Sequence, residues 1–264
     1  MKKVSISASV VLLLLVAVLP AAAITWGQPD TAHTNVGAMV VDWPDYGPWQ
    51  WCTGTLVHPQ VFLTAGHCTD GLAEYGIQTV WVNFDQDAVN PGTLLLVDQV
   101  ITHPDYAWGG ADPHDVGALV LAAPVTGITP AVLPYAGFLD DLKKAGALRT
   151  GPTGARFVVV GYGGSLNWPP PEIYYEDERQ WAESEYKALT KVWLHMFQNR
   201  LSGDGGTCYG DSGGPAFWVA PDGAETLVGI TSWGDAQCIA TGFDYRVDIP
   251  ATLDFLQSVI DDLP

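Results

Sequence analysis

Three quarters of the way along, the chain reads Gly205-Gly206-Thr207-Cys208-Tyr209-Gly210-Asp211-Ser212-Gly213-Gly214-Pro215. A serine hydroxyl is a poor nucleophile until a base takes its proton. The run around Ser212 supplies other parts of such chemistry. Gly210 and Ser212 are two apart, so a tight turn can aim both backbone N–H groups into one hollow. That hollow would stabilise the oxyanion formed when a carbonyl is attacked. Glycines 210, 213 and 214 admit backbone angles closed to other residues and allow a substrate to approach closely. Taken alone, the string is equally a glycine-rich surface loop, and the rest of the chain has to decide.

A base for Ser212 is offered by His67, in Thr64-Ala65-Gly66-His67-Cys68. By itself, a histidine beside a cysteine is more often structural. His33, His58, His103 and His114 lie in turn-like contexts, and His195 sits in an apolar run. A histidine base needs an orienting acceptor. Asp115 directly precedes the apolar run Val116 to Leu121, so it can be buried at a strand mouth, although such residues often only start a strand.

Lys2 and Lys3, the apolar run Val10 to Leu19 and Ala21-Ala22-Ala23 have the layout of a secretory signal peptide over residues 1–23. The apolar run is too short to span a bilayer comfortably, so no membrane attachment is expected after cleavage. The chain carries 29 Asp+Glu against 11 Lys+Arg, a formal net charge of −18. Such acidity repels phosphate backbones and argues against nucleic acid. The four cysteines, Cys52, Cys68, Cys208 and Cys238, read as two disulfides in an exported chain. No Cys-x-x-Cys pair and no His-Glu-x-x-His helix is present, so neither a metal nor another cofactor is expected.

The remaining pattern is one of short strands between turns. Val36 to Val41, Trp49 to His58, Val61 to Ala65, Thr79 to Phe84, Leu94 to Thr102 and Val116 to Leu121 form a first set. Arg156 to Gly161, Trp193 to Phe197, Pro215 to Ala220, Thr226 to Trp233 and Phe243 to Val247 form a second. Two comparable halves joined near 124–148 predict an all-β chain with an N-terminal half over about 24–130 and a C-terminal half over about 148–249. Asn167 to Arg179, rich in proline and acid, reads as an exposed loop. Pro250 to Leu263 reads as a C-terminal helix with Leu253, Leu256 and Ile260 on one face.

In order along the chain, Leu63-Thr64-Ala65-Gly66-His67-Cys68, Asp115-Val116-Gly117-Ala118-Leu119, Gly161-Tyr162-Gly163, Gly210-Asp211-Ser212-Gly213-Gly214-Pro215 and Ser232-Trp233-Gly234 resemble the chymotrypsin/trypsin-like serine peptidases. The resemblance covers nearly all of residues 24–264, and its first and fourth strings are highly specific. It implies two packed six-stranded antiparallel β-barrels with a triad of His67, Asp115 and Ser212 between them, and an oxyanion hole from Gly210 and Ser212. It implies that Ser232 bonds the buried aspartate and that the Ser232-Trp233-Gly234 backbone pairs with a protein or peptide substrate. Disulfides Cys52–Cys68 and Cys208–Cys238, a secreted monomer and susceptibility to protein protease inhibitors are further implications.

The same resemblance implies an activation pair in which Ile24, freed by signal cleavage, inserts its ammonium beside Asp211. Thr25-Trp26 replace the small residues usual after that isoleucine. The pocket floor falls at Gly206, with Thr207 beside it and Gly234 and Gly242 as walls. All lack charge, which implies an open, neutral pocket for a large apolar residue before the scissile bond. Asp244 stands where the family usually has an aromatic residue, and a carboxylate there would favour Arg or Lys instead. Two rivals to the peptidase reading are a non-catalytic binding protein of the same fold and an esterase of another fold. Gly210-Asp211-Ser212-Gly213-Gly214 fits the esterase's Gly-x-Ser-x-Gly spacing, but without the strand before it and helix after it.

Overall fold

The computed structural model describes residues 24–263 apart from 91, 152, 168–171 and 176, so the expected signal peptide lies outside the described residues. In chain order the strands begin with β1 (Gln28–Pro29), β2 (Val36–Trp43), β3 (Gly47–His58), β4 (Val61–Thr64), β5 (Val80–Asn83), β6 (Leu95–Thr102) and β7 (Gly117–Leu121). They continue with β8 (Arg156–Gly161), β9 (Gly164–Asn167), β10 (Glu172–Tyr175), β11 (Gln180–Leu189), β12 (Trp193–Phe197), β13 (Pro215–Val219), β14 (Glu225–Gly234) and β15 (Thr241–Arg246). Three helices, α1 (Gly66–Thr69), α2 (Phe138–Lys144) and α3 (Pro250–Asp261), complete the elements used below.

Strands β2-β3-β4-β7-β6-β5 close into one antiparallel barrel. The order β11-β12-β15-β14-β13-β8, closed by β8 pairing with β11, makes a second. Period-2 side-chain alternation explains why several strands read as unbroken apolar runs. On β2, Met39 and Val41 fill the first barrel, while Val36, Ala38 and Val40 face the seam between barrels. On β8, Phe157 and Val159 fill the second barrel, and Val158 and Val160 face the same seam. A strand buried on both faces has no polar side, and a one-residue slip would exchange the two cores.

Four expectations are corrected. Residues 24–29 do not join the N-terminal barrel: Ile24 is buried in the second barrel's core, Thr25 bridges Gly206, and β1 pairs with β11. The segment 167–179 is not simply an exposed loop, because β9 and β10 form a hairpin and Arg179 is buried. Arg179 bonds Asp30 at 2.9 Å, the Val36 and Phe84 carbonyls at 3.2 and 2.8 Å, and the Tyr162 hydroxyl at 3.0 Å, stitching the two barrels together. Strand β11 was not anticipated; its buried Gln180, Ser184 and Glu185 break the apolar signal. The buried face of α3 is Thr252, Phe255, Leu256 and Val259, with Leu253 and Ile260 only partly buried, so the helix is turned from the expected face. Within the 124–148 connection, α2 docks Leu139 into the second barrel's core. Among the described residues no helix is long and apolar enough to cross a membrane.

Candidate active site

The site lies where loops of both barrels meet. From the first barrel, β4 leads into α1, which carries His67. Gly66 permits this turn to close on β7: a Cβ there would lie 2.8 Å from Tyr106 Cδ2 and 3.2 Å from Asp115 Oδ1. Asp115, just ahead of β7, is fully buried. Its Oδ1 accepts the His67 backbone N–H at 2.8 Å, and the His67 ring Nδ1 lies 3.1 and 3.0 Å from its two oxygens. Ser232 Oγ donates to Asp115 Oδ2 from β14 of the other barrel. Burial pushes the Asp115 carboxyl up, but the His67 and Ser232 hydrogen bonds outweigh it and hold the group below its ordinary value. An ionised Asp115 in this position fixes the imidazole with its proton on Nδ1, leaving Nε2 as an unprotonated acceptor. His67 lines a cavity of ≈ 360 Å³ together with Ser212, Thr207, Thr231, Trp233 and Gly234 among others.

The second barrel brings Ser212 to this cavity on the loop before β13. Gly213, at φ 78°, lets the loop dock on the histidine turn; a Cβ there would come within 2.1 Å of Thr64 Oγ1. Thr53 N–H donates to the Ser212 carbonyl at 2.9 Å, and Gly213 N–H to Thr231 at 2.7 Å. Gly210, at φ 94°, has its carbonyl turned away and held by Gln50 Nε2 at 2.8 Å and Thr53 Oγ1 at 3.0 Å. The N–H groups of Gly210 and Ser212 donate to no acceptor among the described residues. Gln50 and Thr53 carried no signal in the sequence beyond their nearness to Cys52, yet they fix the peptide orientation that an oxyanion hole needs.

Disulfides Cys52–Cys68 and Cys208–Cys238 flank the site. The first ties the histidine turn to β3, and with both sulfurs bonded to each other they are not available beside His67 as metal ligands. Asp211 is fully buried and accepts N–H bonds from Gly163 and Cys208, both at 2.8 Å. Burial drives its carboxyl well above the ordinary value, and these two bonds offset only part of that. Ile24 is also fully buried, but no hydrogen bond or ion pair joins it to Asp211 among the described residues.

The pocket positions converge on a residue that the sequence did not flag. Gln198, just after β12, is buried, and its side chain occupies the space left by the missing side chains of the glycines. A Cβ at Gly206 would meet Gln198 Cγ at 2.2 Å, and one at Gly242 would meet Nε2 at 2.8 Å. Gln198 Nε2 donates to the Thr207 carbonyl at 3.0 Å and Thr207 Oγ1 at 3.3 Å, while Oε1 has no partner among the described residues. The expectation of an open floor is therefore corrected: glycine there makes room for an amide. Asp244 is completely buried beside Gly229, both its oxygens lack partners among the described residues, and burial alone pushes its carboxyl up to about 8. Trp233 stacks on Phe243 at 3.7 Å, which braces the exposed strand end at Trp233 and Gly234 from behind.

A histidine held by a buried carboxylate, sharing a cavity with a serine beside two unengaged N–H donors, is a set of groups suited to acyl transfer. Comparison with known proteins agrees. The family model described as Trypsin matches residues 26–256. A trypsin of Saccharopolyspora erythraea is 32% identical over 188 residues, covering 70% of this chain and 76% of that protein. A tryptase of Mus musculus is 30% identical over 199 residues, covering 70% and 69%. A trypsin of Simulium vittatum is 30% identical over 197 residues, covering 72% of each. The chain belongs to the trypsin family of serine-type endopeptidases.

Proposed function

We propose that Ser212, His67 and Asp115 are the catalytic triad, and that the chain hydrolyses peptide bonds through an acyl-enzyme. Ser212 Oγ bonds to the scissile carbonyl carbon as His67 Nε2 takes its proton. The carbonyl oxygen becomes an oxyanion, met by the Gly210 and Ser212 N–H groups. Collapse expels the amine with the proton from His67, and a water activated by the same nitrogen releases the acid. Asp115 keeps the tautomer and stabilises the imidazolium without taking the proton. The observation that carries this reading is the double contact of His67 with the buried, ionised Asp115 on the rim of the cavity that Ser212 shares.

The substrate is a protein or peptide chain, laid along Ser232, Trp233 and Gly234, with the residue before the scissile bond entering the cavity lined by Thr207, Thr231 and Gly234, short of the Gln198 amide that fills the space over Gly206 and Gly242. A large apolar residue is favoured there. Thr231 and Gly234 line the cavity but Asp244 does not, and a carboxyl raised to about 8 is mostly neutral at pH 7. A second reading, Arg or Lys in the pocket, is favoured by one observation: among the described residues Asp244, Thr231 Oγ1 and Gln198 Oε1 are all buried without partners, and a cationic donor would help to satisfy them. Cleavage of a mixed peptide library beside Ser212→Ala tests both. Cuts after Phe, Tyr or Leu that vanish in the variant support the main reading. Cuts after Arg or Lys that Asp244→Asn weakens support the second, and cuts that survive Ser212→Ala reject the triad.

The mature form is proposed to be secreted, in keeping with its two disulfides, to act as a monomer and to be open to protein inhibitors. Its new N-terminus would be Ile24, whose ammonium would supply the cation that buried Asp211 lacks among the described residues. N-terminal sequencing that begins beyond Ile24 would reject this pairing.

A further inference from the structure

Away from the triad, two imidazoles face each other at the base of the loop that joins β6 to Asp115. The rings of His103 and His114 stand 4.7 Å apart between centroids and nearly perpendicular, at 86°. The Asp105 carboxylate joins them, so that one ligand atom from each of the three lies within 4.8 Å of the others. His103 is buried, packed on Phe255 of α3 at 5.2 Å. His114 is held in the left-handed region at φ 49°, where a residue with a Cβ is rarely found. Both its ring nitrogens are buried without a hydrogen-bond partner among the described residues. A neutral imidazole carries one donor and one acceptor, and burying both unpaired is unusual enough to ask what they serve. Asp112 stands nearby: Oδ2 is 3.7 Å from His114 Nε2, beyond a hydrogen bond, while Oδ1 takes the His114 N–H at 3.1 Å and the Tyr245 hydroxyl at 2.7 Å.

We propose that His103, Asp105 and His114 bind a borderline divalent cation of the zinc class. Two imidazoles and a carboxylate are the donor set such an ion prefers over calcium or magnesium. Tetrahedral zinc, with ligands at about 2.0–2.2 Å, needs its donor atoms about 3.3 Å apart. The group must therefore tighten, and the exposed Asp105 side chain, two residues beyond His103, is free to swing in. The His103 ring hydrogen-bonds the backbone at Ala251, and its Nδ1 accepts the Asp105 backbone N–H at 3.1 Å, the contact that the ion would replace if it takes that nitrogen. The acidic chain draws cations toward its surface. The spacing 103, 105, 114 follows none of the common zinc patterns, so only the folded chain reveals the group.

The ion would join the two ends of one loop. That loop carries Trp108, edge-on to His67 at 5.8 Å, and ends at Asp115. Bound zinc is a clip on the segment that flanks the histidine, and it stabilises the folded chain because it binds that state. The experiment is titration of zinc chloride into the chain carrying Ser212→Ala, by calorimetry in a non-chelating buffer, with melting followed in parallel. One ion per chain and a rise in Tm are expected, with affinity at least about tenfold weaker in Asp105→Asn and binding lost in His103→Asn. Adding His67→Ala should leave binding in place. No saturable binding, binding that neither variant weakens, or binding lost with His67→Ala would overturn the proposal. Should buried His103→Asn fail to fold, exposed Asp105→Asn decides alone.

Discussion

At Asp115 three donors converge: the His67 backbone N–H, the His67 ring and Ser232 Oγ. A hydrogen bond to a charged group contributes roughly 1.5–3 kcal/mol, so Ser232→Ala should lower kcat by about tenfold or more. The Asp115 carboxyl is held below its ordinary value in the folded chain. Its stabilising contribution is thus present above pH 3.8 and lost as pH falls through the folded value. Removing Ser232 raises that value, so acid unfolding should begin at higher pH; kcat and urea midpoints between pH 3 and 7 check both effects. Asp244 behaves in the opposite sense. Raised from 3.8 to about 8, it keeps a proton in the folded state that the unfolded state releases. Stability therefore falls as pH rises between those values, and Asp244→Asn should flatten the decline by more than about 1 kcal/mol between pH 5 and 8. An unchanged slope in urea denaturation would contradict this. The sequence made His67, Asp115 and Ser212 legible because each sits in a short string whose glycines and neighbours the local backbone requires. Gln198 belongs to no string. Its place is set by Gly206 and Gly242, which are distant in sequence, so only the folded chain reveals it.

Among elements, strands whose two faces are both buried are legible in the sequence, since β7 is apolar throughout and β2 and β8 are apolar apart from Asp42 and Arg156 near their ends. Strand β11 was not, because its burial is satisfied by polar contacts: Ser184 Oγ donates to the Gly205 carbonyl at 2.7 Å. Arg179, directly before β11, is the clearest case of a charge in an unexpected place. It bonds Asp30 with one nitrogen and reaches Val36, Phe84 and Tyr162 with another. Burial pushes the Asp30 carboxyl up, but His33 and then Arg179 draw it down to a net value below the ordinary one. Arg179→Met leaves Asp30 buried with only His33 as a cationic partner and frees two carbonyls of the arginine bond. Breaking one side of a buried pair costs about 3–5 kcal/mol, and a fall of that size in unfolding free energy by urea titration is expected. A loss under about 1 kcal/mol would mean that the seam does not depend on this residue.

For the molecule as a whole, the consequence of two barrels is that neither holds a complete site. His67 and Asp115 come from the first, Ser212 and Ser232 from the second, and the shared seam of Val36, Ala38, Val40, Val158 and Val160 fixes their relation. The spacing of short strands between turns indicates two all-β halves but cannot say that residues 24–29 cross over to the second one, because that depends on a bridge to Gly206. The central claim is that His67 of one barrel activates Ser212 of the other. Its most direct measurement is the rate of labelling by an organophosphate-type serine reagent, with the adduct located by peptide mass spectrometry, in the unaltered chain and in His67→Ala. One adduct per chain is expected, on Ser212, formed at least about a thousandfold faster when His67 is present. Labelling elsewhere, or labelling of Ser212 at the same rate in His67→Ala, would contradict it.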